Sequence, residues 1–459
     1  MCPLDLSRIQ GFVVRSYRPR GGGPGLAFAR YLFLRIDDSA RAASWIAEIT
    51  DDVLTAAPSS KKPDSGVNIA FSYSGLRSLA LPDATLAGFP EEFRQGMAAR
   101  AELLGDVGDS APENWEGGLG KPAIHVLVMI SAMSKEALDA HDRRLRASIA
   151  LSGGLVVLHD ELGAALPGEV EHFGYADGFA QPSIEGSGEP ALPGQGALIP
   201  RGGWRPIRAG EFILGYPDEE GVLPAAPPPA ELSTNASFLV YRKLYQDAAA
   251  FRKQLSESAK LYPGGEELLA AKVVGRWRDG TPLDLSPERP DPSIAQDEQR
   301  NNAFSYGDDA TGLACPVGAH VRRANPRDSL AFEGKLVNRH RIVRRGITYG
   351  EQLAPGLDDD GADRGVIFMC LQASIARQFE FVQSQWLNSG NAFGLGQDQD
   401  LMLGSQDAAT PAKMTVPGSP PFLFGPLSRV VRTKGGEYFF VPGINGLQFL
   451  AAAAGGGAA

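Results

Sequence analysis

One segment of the chain, from Cys315 to Tyr349, combines a lone imidazole with clustered positive charge. His320 lies in a turn of small residues and is followed by several arginines, and the segment ends in a strand-like run, Ile342–Ile347. A haem iron requires these residue types, because a neutral imidazole binds the iron and fixed cations surround the porphyrin. The segment therefore predicts a haem-binding site.

The histidines also have a structural interpretation, because metal ligation is only one of several histidine roles. Three fall in predicted strands or on a predicted helix and are assigned to structure: His125, His141 and His159. His172 and His340 lie next to the motifs and are left open. Cys315 is an alternative thiolate ligand, but its place before Pro316 favours an inert small residue.

A second motif, Phe173–Phe179, places Asp177 among glycines and aromatic residues. The alternative interpretation is a simple turn, since Asp-Gly is a standard turn pair. The aromatic neighbours favour a functional carboxylate, which would otherwise face water. Arg344 and Arg345 have a similar alternative as solvated residues at a strand end.

Composition excludes several classes of protein. The chain has 459 residues, 43% of them hydrophobic, and a net charge of −10, which argues against non-specific nucleic-acid binding. Three cysteines form no disulfide framework and show no metal-ligand spacing. We see no secretory signal and no apolar run of about 18 residues. We therefore expect a cytoplasmic protein that binds neither nucleic acid nor membrane.

The predicted elements of the first half follow the order βαββαβ, which is typical of a ferredoxin-like fold. Apolar runs indicate the strands, and capping residues followed by an apolar stripe indicate the helices. The strands are Tyr31–Ile36, Val67–Phe71, Ile124–Ile130 and Leu155–Leu158; the helices run from Asp37 to about Val53, around Glu91–Leu104 and after Ser134.

A similar order of elements returns in the second half. Strands are predicted at Phe238–Tyr241, Ile342–Ile347, Val366–Leu371 and Tyr438–Val441, with helices at Asp247–Leu255 and after Ser374. We therefore predict an α+β protein of two ferredoxin-like domains, 1–180 and 181–459, with the haem in the second domain facing the first. Two long irregular insertions are expected at about 185–235 and 262–302.

Together these motifs resemble the dye-decolorising peroxidases, in particular the larger members with long insertions. The matching pieces are GYADG (Gly174–Gly178), CPVGAHVRRANPR (Cys315–Arg327) and RIVRRGITYG (Arg341–Gly350), and weaker matches extend over nearly the whole chain in the same order. The family often has proline where this chain has Thr348, so we expect an altered turn after the strand that carries the arginine pair.

The resemblance implies a role for six residues. Asp177 would be the aspartate of the GxxDG motif, His320 the proximal iron ligand and Arg344 the distal arginine. Arg327 would pair with a haem propionate. Val366 and Phe368, two apart on one strand face, would line the distal pocket. The acidic partner of His320 stays open among Glu380, Asp400 and Asp407.

The resemblance also implies an activity: a peroxidase with haem b that uses hydrogen peroxide to oxidise dyes, phenols and other organic donors through a ferryl intermediate. Bulky dyes would be oxidised at the surface through a relay, with Tyr349 and Trp386 as candidates, although Trp386 also fits core packing. The alternatives are a haem carrier or iron-release protein that uses the same pocket, and a non-haem interaction protein. We expect a monomer or a homodimer.

Overall fold

The computed structural model of the protein describes residues 3–17, 25–59, 63–199, 202–330, 332–406 and 411–453. The strands are β1 (Phe28–Ile36), β2 (Ser65–Phe71), β3 (Val126–Ala132), β4 (Leu155–Ala164), β5 (Ala197–Leu198), β6 (Trp204–Arg205), β7 (Ser237–Gln246), β8 (Val343–Arg344), β9 (Ile347–Tyr349), β10 (Gly365–Gln372), β11 (Ala412–Val416), β12 (Phe422–Leu427) and β13 (Val431–Val441).

The α-helices are mostly short. They are α1 (Gly11–Val14), α2 (Ser39–Thr50), α3 (Tyr73–Ser78), α4 (Asp83–Ala87), α5 (Glu91–Gln95), α6 (Ala101–Leu104), α7 (Lys135–Ser152), α8 (Ala230–Ser233), α9 (Ala248–Ala259), α10 (Gly265–Val274), α11 (Pro292–Ala295), α12 (His320–Ala324), α13 (Lys335–Asn338) and α14 (Ile444–Ala453). Two π-helical segments, Ala376–Glu380 and Val382–Leu387, follow β10.

Nine of the described strands form one antiparallel sheet in the order β4-β1-β3-β2-β13-β7-β10-β8, and β9 also pairs with β10. The first four strands have the ferredoxin-like order, and β13-β7-β10-β8 repeats it in the second half. Phe71 pairs with Phe440 where the two halves join. At the other end Thr348 Oγ1 donates a hydrogen bond to Ala164 O, so the sheet curves towards closure. The predicted α+β fold with two ferredoxin-like halves is confirmed.

Two predicted helices illustrate why local sequence suffices in some places and fails in others. Helix α7 begins after Ser134, whose side chain accepts a hydrogen bond from Ala137 N, and its buried face holds Leu138, Leu145 and Ile149. The helix predicted around Glu91–Leu104 is wrong, because it breaks at Gly96, which has φ of +76°. Only a residue without a Cβ adopts that backbone conformation at low cost.

Two other predictions need correction. The strand expected at Ile342–Ile347 is divided into β8 and β9 around Gly346, where a Cβ would lie 2.7 Å from Ile367 O. The segment 262–302, expected to be irregular, contains the ten-residue helix α10. Its buried residues, Leu269–Val274, are consecutive and so lie on every side of the helix. The sequence therefore shows no apolar stripe at helical spacing that would have predicted it. In the other segment expected to be irregular, 185–235, the described residues form the β5–β6 hairpin, α8 and a short 3₁₀ turn.

Candidate active site

A cavity of about 320 Å³ lies between the face of β7 and β10 and the segments that follow them. Much of its wall is apolar, with side chains from both halves of the chain: Leu104, Val274, Ile342, Val366, Phe368, Phe379 and Leu387. All six residues singled out from the sequence line it as well: Asp177, His320, Arg327, Arg344, Val366 and Phe368. The fold thus brings together side chains that are far apart in the chain.

His320 is the first residue of α12, and Asp400 orients its ring. Its Nδ1 lies 3.0 Å from Asp400 Oδ2. Asp400 is 1% exposed, and its Oδ1 accepts hydrogen bonds from Met402 N and Leu403 N. A carboxylate held in this way fixes the proton on Nδ1 and leaves the Nε2 lone pair for a metal.

The two other acidic residues considered as partners of His320 are Glu380 and Asp407. Glu380 bonds to Arg100 Nε at 2.9 Å and to Tyr438 Oη at 2.9 Å instead. Asp407 lies outside the described residues.

Burial lowers the pKa of His320, but the charge of Asp400 and its hydrogen bond outweigh that effect, so the pKa is raised overall.

Asp177 and Arg344 face the cavity as a bonded pair. Arg344 Nη1 lies 3.2 Å from Asp177 Oδ1, and Arg344 Nη2 donates to Phe179 O at 2.7 Å. The backbone N–H of Arg344 donates to Gln181 Oε1 at 3.0 Å, which ties β8 to the Asp177 turn. The side chains of Asp177 and Arg344 remain 57% and 36% exposed, so both can meet a small molecule in the cavity.

Val366 and Phe368 lie two residues apart on β10 and therefore face the same side of the sheet. The Phe368 ring lies 6.2 Å from that of Phe379, which also lines the cavity. Ile367 and Met369 alternate with them along β10, so their side chains lie on the other face of the sheet, in the hydrophobic core. The alternation predicted from sequence therefore positions the two side chains as expected.

One side of the cavity is strongly cationic. Arg327 has φ of +52° and donates to Phe304 O at 2.7 Å and to Asn302 O at 3.0 Å. Arg341, which the sequence analysis did not single out, lines the same side and is 7% exposed. Its buried Nη2 has no hydrogen-bond partner among the described residues. Burial, together with the charges of Arg327 and Arg344, lowers the pKa of Arg341 to about 9.

Several other candidates lie away from the cavity. Cys315 is buried, and burial raises the pKa of its thiol to about 12, which does not favour a thiolate ligand. The His340 ring stacks on Phe381 at 3.9 Å. Trp386 and Tyr349 are 3% and 5% exposed, and Tyr349 Oη donates to Asp363 Oδ1 at 3.2 Å. A relay through either residue stays a prediction.

Known proteins resemble the chain in sequence and in fold. Residues 27–161 match the DyP dimeric alpha+beta barrel domain, and residues 270–404 match the Dyp-type peroxidase C-terminal domain. The dye-decolorizing peroxidase msp1 of Mycetinis scorodonius is 32% identical over 451 residues, which cover 91% of this chain and 83% of that relative. This chain belongs to the dye-decolorising peroxidase family.

Solved structures of dye-decolorising peroxidases share the fold over almost the whole chain. An ancestral D-type dye-decolorizing peroxidase has a TM-score of 0.83 at 31% identity and covers 97% of this chain and 99% of its own. A dye-decolorizing peroxidase in complex with 2,6-dimethoxyphenol has a TM-score of 0.82 at 27% identity, covering 98% and 100%. The protein is therefore an enzyme of the haem peroxidase class. A match to the deferrochelatase of Yersinia pestis covers only 25% of this chain.

The cavity of this dye-decolorising peroxidase fits a haem. Its apolar wall suits a porphyrin, and His320 offers one ring nitrogen while Asp400 holds the other. The orphaned Nη2 of Arg341 indicates that an anionic group belongs on that side, because a buried cation without a partner is costly. The two propionates of a haem would supply this charge. Among the described residues, no helix has the length and apolar character needed to cross a membrane.

Proposed function

We propose that the protein is a haem b-dependent peroxidase in which His320 binds the iron and Asp177 and Arg344 promote cleavage of hydrogen peroxide. One observation carries the proposal: the bonded pair Asp177–Arg344 and the imidazole His320, held by Asp400, line a single cavity. The haem would supply the oxidising chemistry once bound. The protein's own side chains would hold the cofactor, move the proton and stabilise the charge that develops.

Asp177 would act first as a base and then as an acid. Its carboxylate accepts a proton from one oxygen of hydrogen peroxide and returns the proton to the other oxygen, which leaves as water. Arg344, which is permanently cationic, stabilises the negative charge that develops on the departing oxygen. The 3.2 Å contact between the two side chains supports this division of roles, since the cation also favours the ionised form of the base.

The remaining site residues hold the cofactor and limit access. Arg327 and Arg341 would face the propionates, because both are cationic and lie on the same side of the cavity. Val366 and Phe368 would exclude water and bulky donors from the peroxide side. The organic donors would include dyes and phenols, in keeping with the names of the relatives and the phenol complex of a structural neighbour.

Three further expectations belong to the same proposal. The domains would be 1–180 and 181–459, since β4-β1-β3-β2 and β13-β7-β10-β8 each complete one set of strands. The protein would act as a monomer or homodimer, which sedimentation would determine. A cytoplasmic location would be tested by cell fractionation.

The experiment that tests the function is an absorption spectrum of the purified haem-loaded protein before and after addition of hydrogen peroxide. We expect a Soret band that changes rapidly with peroxide and recovers when a phenol is added. A haem carrier would show the band without rapid change and recovery. A protein that takes up no haem would contradict the proposal entirely.

A further inference from the structure

A second carboxyl group, Glu171, lies next to the Asp177–Arg344 pair. It lines the haem cavity and also a smaller neighbouring cavity of about 80 Å³. Asp177, Arg344 and Val366 line both cavities as well. Glu171 therefore lies at the boundary between the two cavities, on the side of the haem cavity that holds Asp177 and Arg344.

Glu171 organises the turn that presents Asp177. Its two carboxylate oxygens accept hydrogen bonds from Phe173 N at 2.9 Å and Tyr175 N at 3.0 Å. Its backbone bonds to Tyr175 O and Gly174 N close the same turn. The turn ends at Asp177, so the carboxyl group of Glu171 helps to fix where Asp177 stands.

No cation forms an ion pair with Glu171 among the residues that the structure describes. Its side-chain donor is the neutral amide of Gln246 on β7. Asp177, by contrast, is 57% exposed and bonded to the guanidinium of Arg344. A partly buried carboxylate without a cation is less stable than an exposed one beside an arginine, so Glu171 is the better proton acceptor of the two.

The amide of Gln246 can serve a protonated Glu171 as well. Gln246 Oε1 is buried and has no hydrogen-bond partner in the described residues. Rotating the amide by half a turn would direct Oε1 at Glu171, where it could accept a hydrogen bond from the protonated carboxyl group. Burial raises the pKa of Glu171, its three N–H donors act in the opposite direction, and the charge of Asp177 adds a smaller upward effect.

The charged and titratable groups around Glu171 come from its own turn and from two neighbouring segments: Glu169, His172, Tyr175, Asp177, Arg278, Arg344 and Arg345. Arg278 Nη1 donates to Phe173 O, and Arg344 bonds to Asp177. Arg345 Nε donates to Phe12 O, so none of these three cations forms an ion pair with Glu171 in the described part of the chain. The negative charge of Asp177 acts on Glu171.

We propose that Glu171 is a positioning residue for Asp177, and that it takes the first proton as the pH falls, so that Asp177 keeps its charge. The two carboxyl groups then titrate as a coupled pair. This inference rests on the proposed function, in which Asp177 is the working base. Because Glu171 is protonated first, Asp177 remains ionised at a lower pH than it would beside a second negative charge.

The test is infrared spectroscopy of the haem-loaded protein across an acid-to-neutral pH series, since a protonated carboxyl band is distinct from that of a carboxylate. Several carboxyl groups of the wild type should titrate in this range, and one of these titrations should disappear in Glu171→Gln. In Asp177→Asn the same titration should move to lower pH by about 1 unit, because the neighbouring negative charge is gone. An unmoved titration in Asp177→Asn, or a first proton on Asp177, would overturn the inference.

Glu437→Gln is the matched control. Glu437 also accepts two backbone hydrogen bonds, from Met97 N and Tyr438 N, and burial raises its pKa to about 7, but it does not line the cavity. This variant should lose a different titration and leave that of Glu171 in place. Loss of the Glu171 titration in this control would also contradict the inference.

A second variant covers the case in which Glu171→Gln fails to fold. Gln246→Leu removes the side-chain donor that the structure shows and that lowers the pKa of Glu171, and it leaves the backbone donors in place. Loss of this formed bond should outweigh loss of the rotated acceptor, so the Glu171 titration should move to higher pH; no movement would count against the inference. The proposed function is judged separately, by the peroxide reaction. If Asp177→Asn reacts with peroxide at the wild-type rate, the proposed function is wrong whatever the infrared spectra show.

Discussion

Asp177 and Arg344 bond to each other, whereas His320 bonds to Asp400, so peroxide chemistry and haem binding depend on different contacts. We expect Asp177→Ala and Arg344→Leu to keep their haem and to react more slowly with peroxide. The loss should be roughly 10²–10⁴-fold for the proton-transfer group Asp177 and roughly 10²–10³-fold for the charge-stabilising Arg344. Stopped-flow absorbance at the Soret band measures the rate. Wild-type rates in both variants would refute the roles proposed for the pair.

Asp400 orients His320 through the 3.0 Å contact with Nδ1. Asp400→Ala should weaken haem binding about 10–100-fold, the range seen when a partner of a metal-binding histidine is removed. Haem titration followed by absorbance measures the affinity. Asp398→Asn is the control, because its side chain bonds to Thr415 Oγ1 rather than to His320.

An aspartate base also predicts the pH dependence of activity. Its reference pKa is about 3.9, against about 6.5 for a histidine, so Asp177 stays ionised in acid where a histidine base would be protonated. We expect dye oxidation to be fastest on the acid side of neutrality. A maximum above neutrality, in a protein that stays folded across the range, would argue against Asp177 as the base.

The sequence predicted these residues from their types and from the order of three motifs. It could not choose between the acidic partners of His320, because Asp400 lies 80 positions away and reaches the ring only in the folded chain. Arg341 escaped notice because it stands among other arginines in RIVRRG. Its burial without a partner is visible only in three dimensions.

At the scale of elements, the contact between β4 and β9 helps to position the strand pair that carries Arg344. A Cβ on Gly163 of β4 would lie 2.2 Å from Ile347 Cγ2 of β9. Gly163→Ala should therefore lower the free energy of unfolding by about 1–3 kcal/mol, the usual cost of overpacking. Denaturant unfolding measures the change.

The control for this variant is Gly418→Ala. Gly418 is exposed, and the atom nearest to its added Cβ, Pro420 O, lies 3.2 Å away. We expect a change within about 0.5 kcal/mol, as for most surface substitutions. Equal losses of stability in the two variants would mean that the approach of β9 to Gly163 has no special importance.

The elements that were mispredicted share a physical cause. The helix around Glu91–Leu104 and the strand Ile342–Ile347 are both interrupted at a glycine, Gly96 and Gly346. Helix α10 is buried all round in its second half, from Leu269 to Val274, and so shows no single apolar stripe. In each case a tertiary contact decides the local structure. Glu437 Oε1, for example, accepts the Met97 N–H next to the Gly96 break. Periodicity alone contains no information about such partners.

At the scale of the whole molecule, the cavity leaves buried cations and an open apolar wall that a haem would cover. Haem should therefore stabilise the fold, by about 4 kcal/mol when its free concentration is 1,000 times the dissociation constant. His320→Ala should stay folded and lose most of this stabilisation. Calorimetry of both proteins, with and without added haem, measures the effect, and equal gains in both would show that haem binds elsewhere.

The sequence by itself determined the element order of both halves, the family, and the residue types of the site, because strand and helix patterns and short motifs are local properties of a chain. Only the tertiary structure decided that the two sets of strands join through β2 and β13 into one sheet. It also selected Asp400 as the partner of His320 and placed Glu171 and Arg341 beside the predicted residues. These outcomes depend on contacts between distant segments, and such contacts exist only when burial and hydrogen bonding are satisfied across the whole fold.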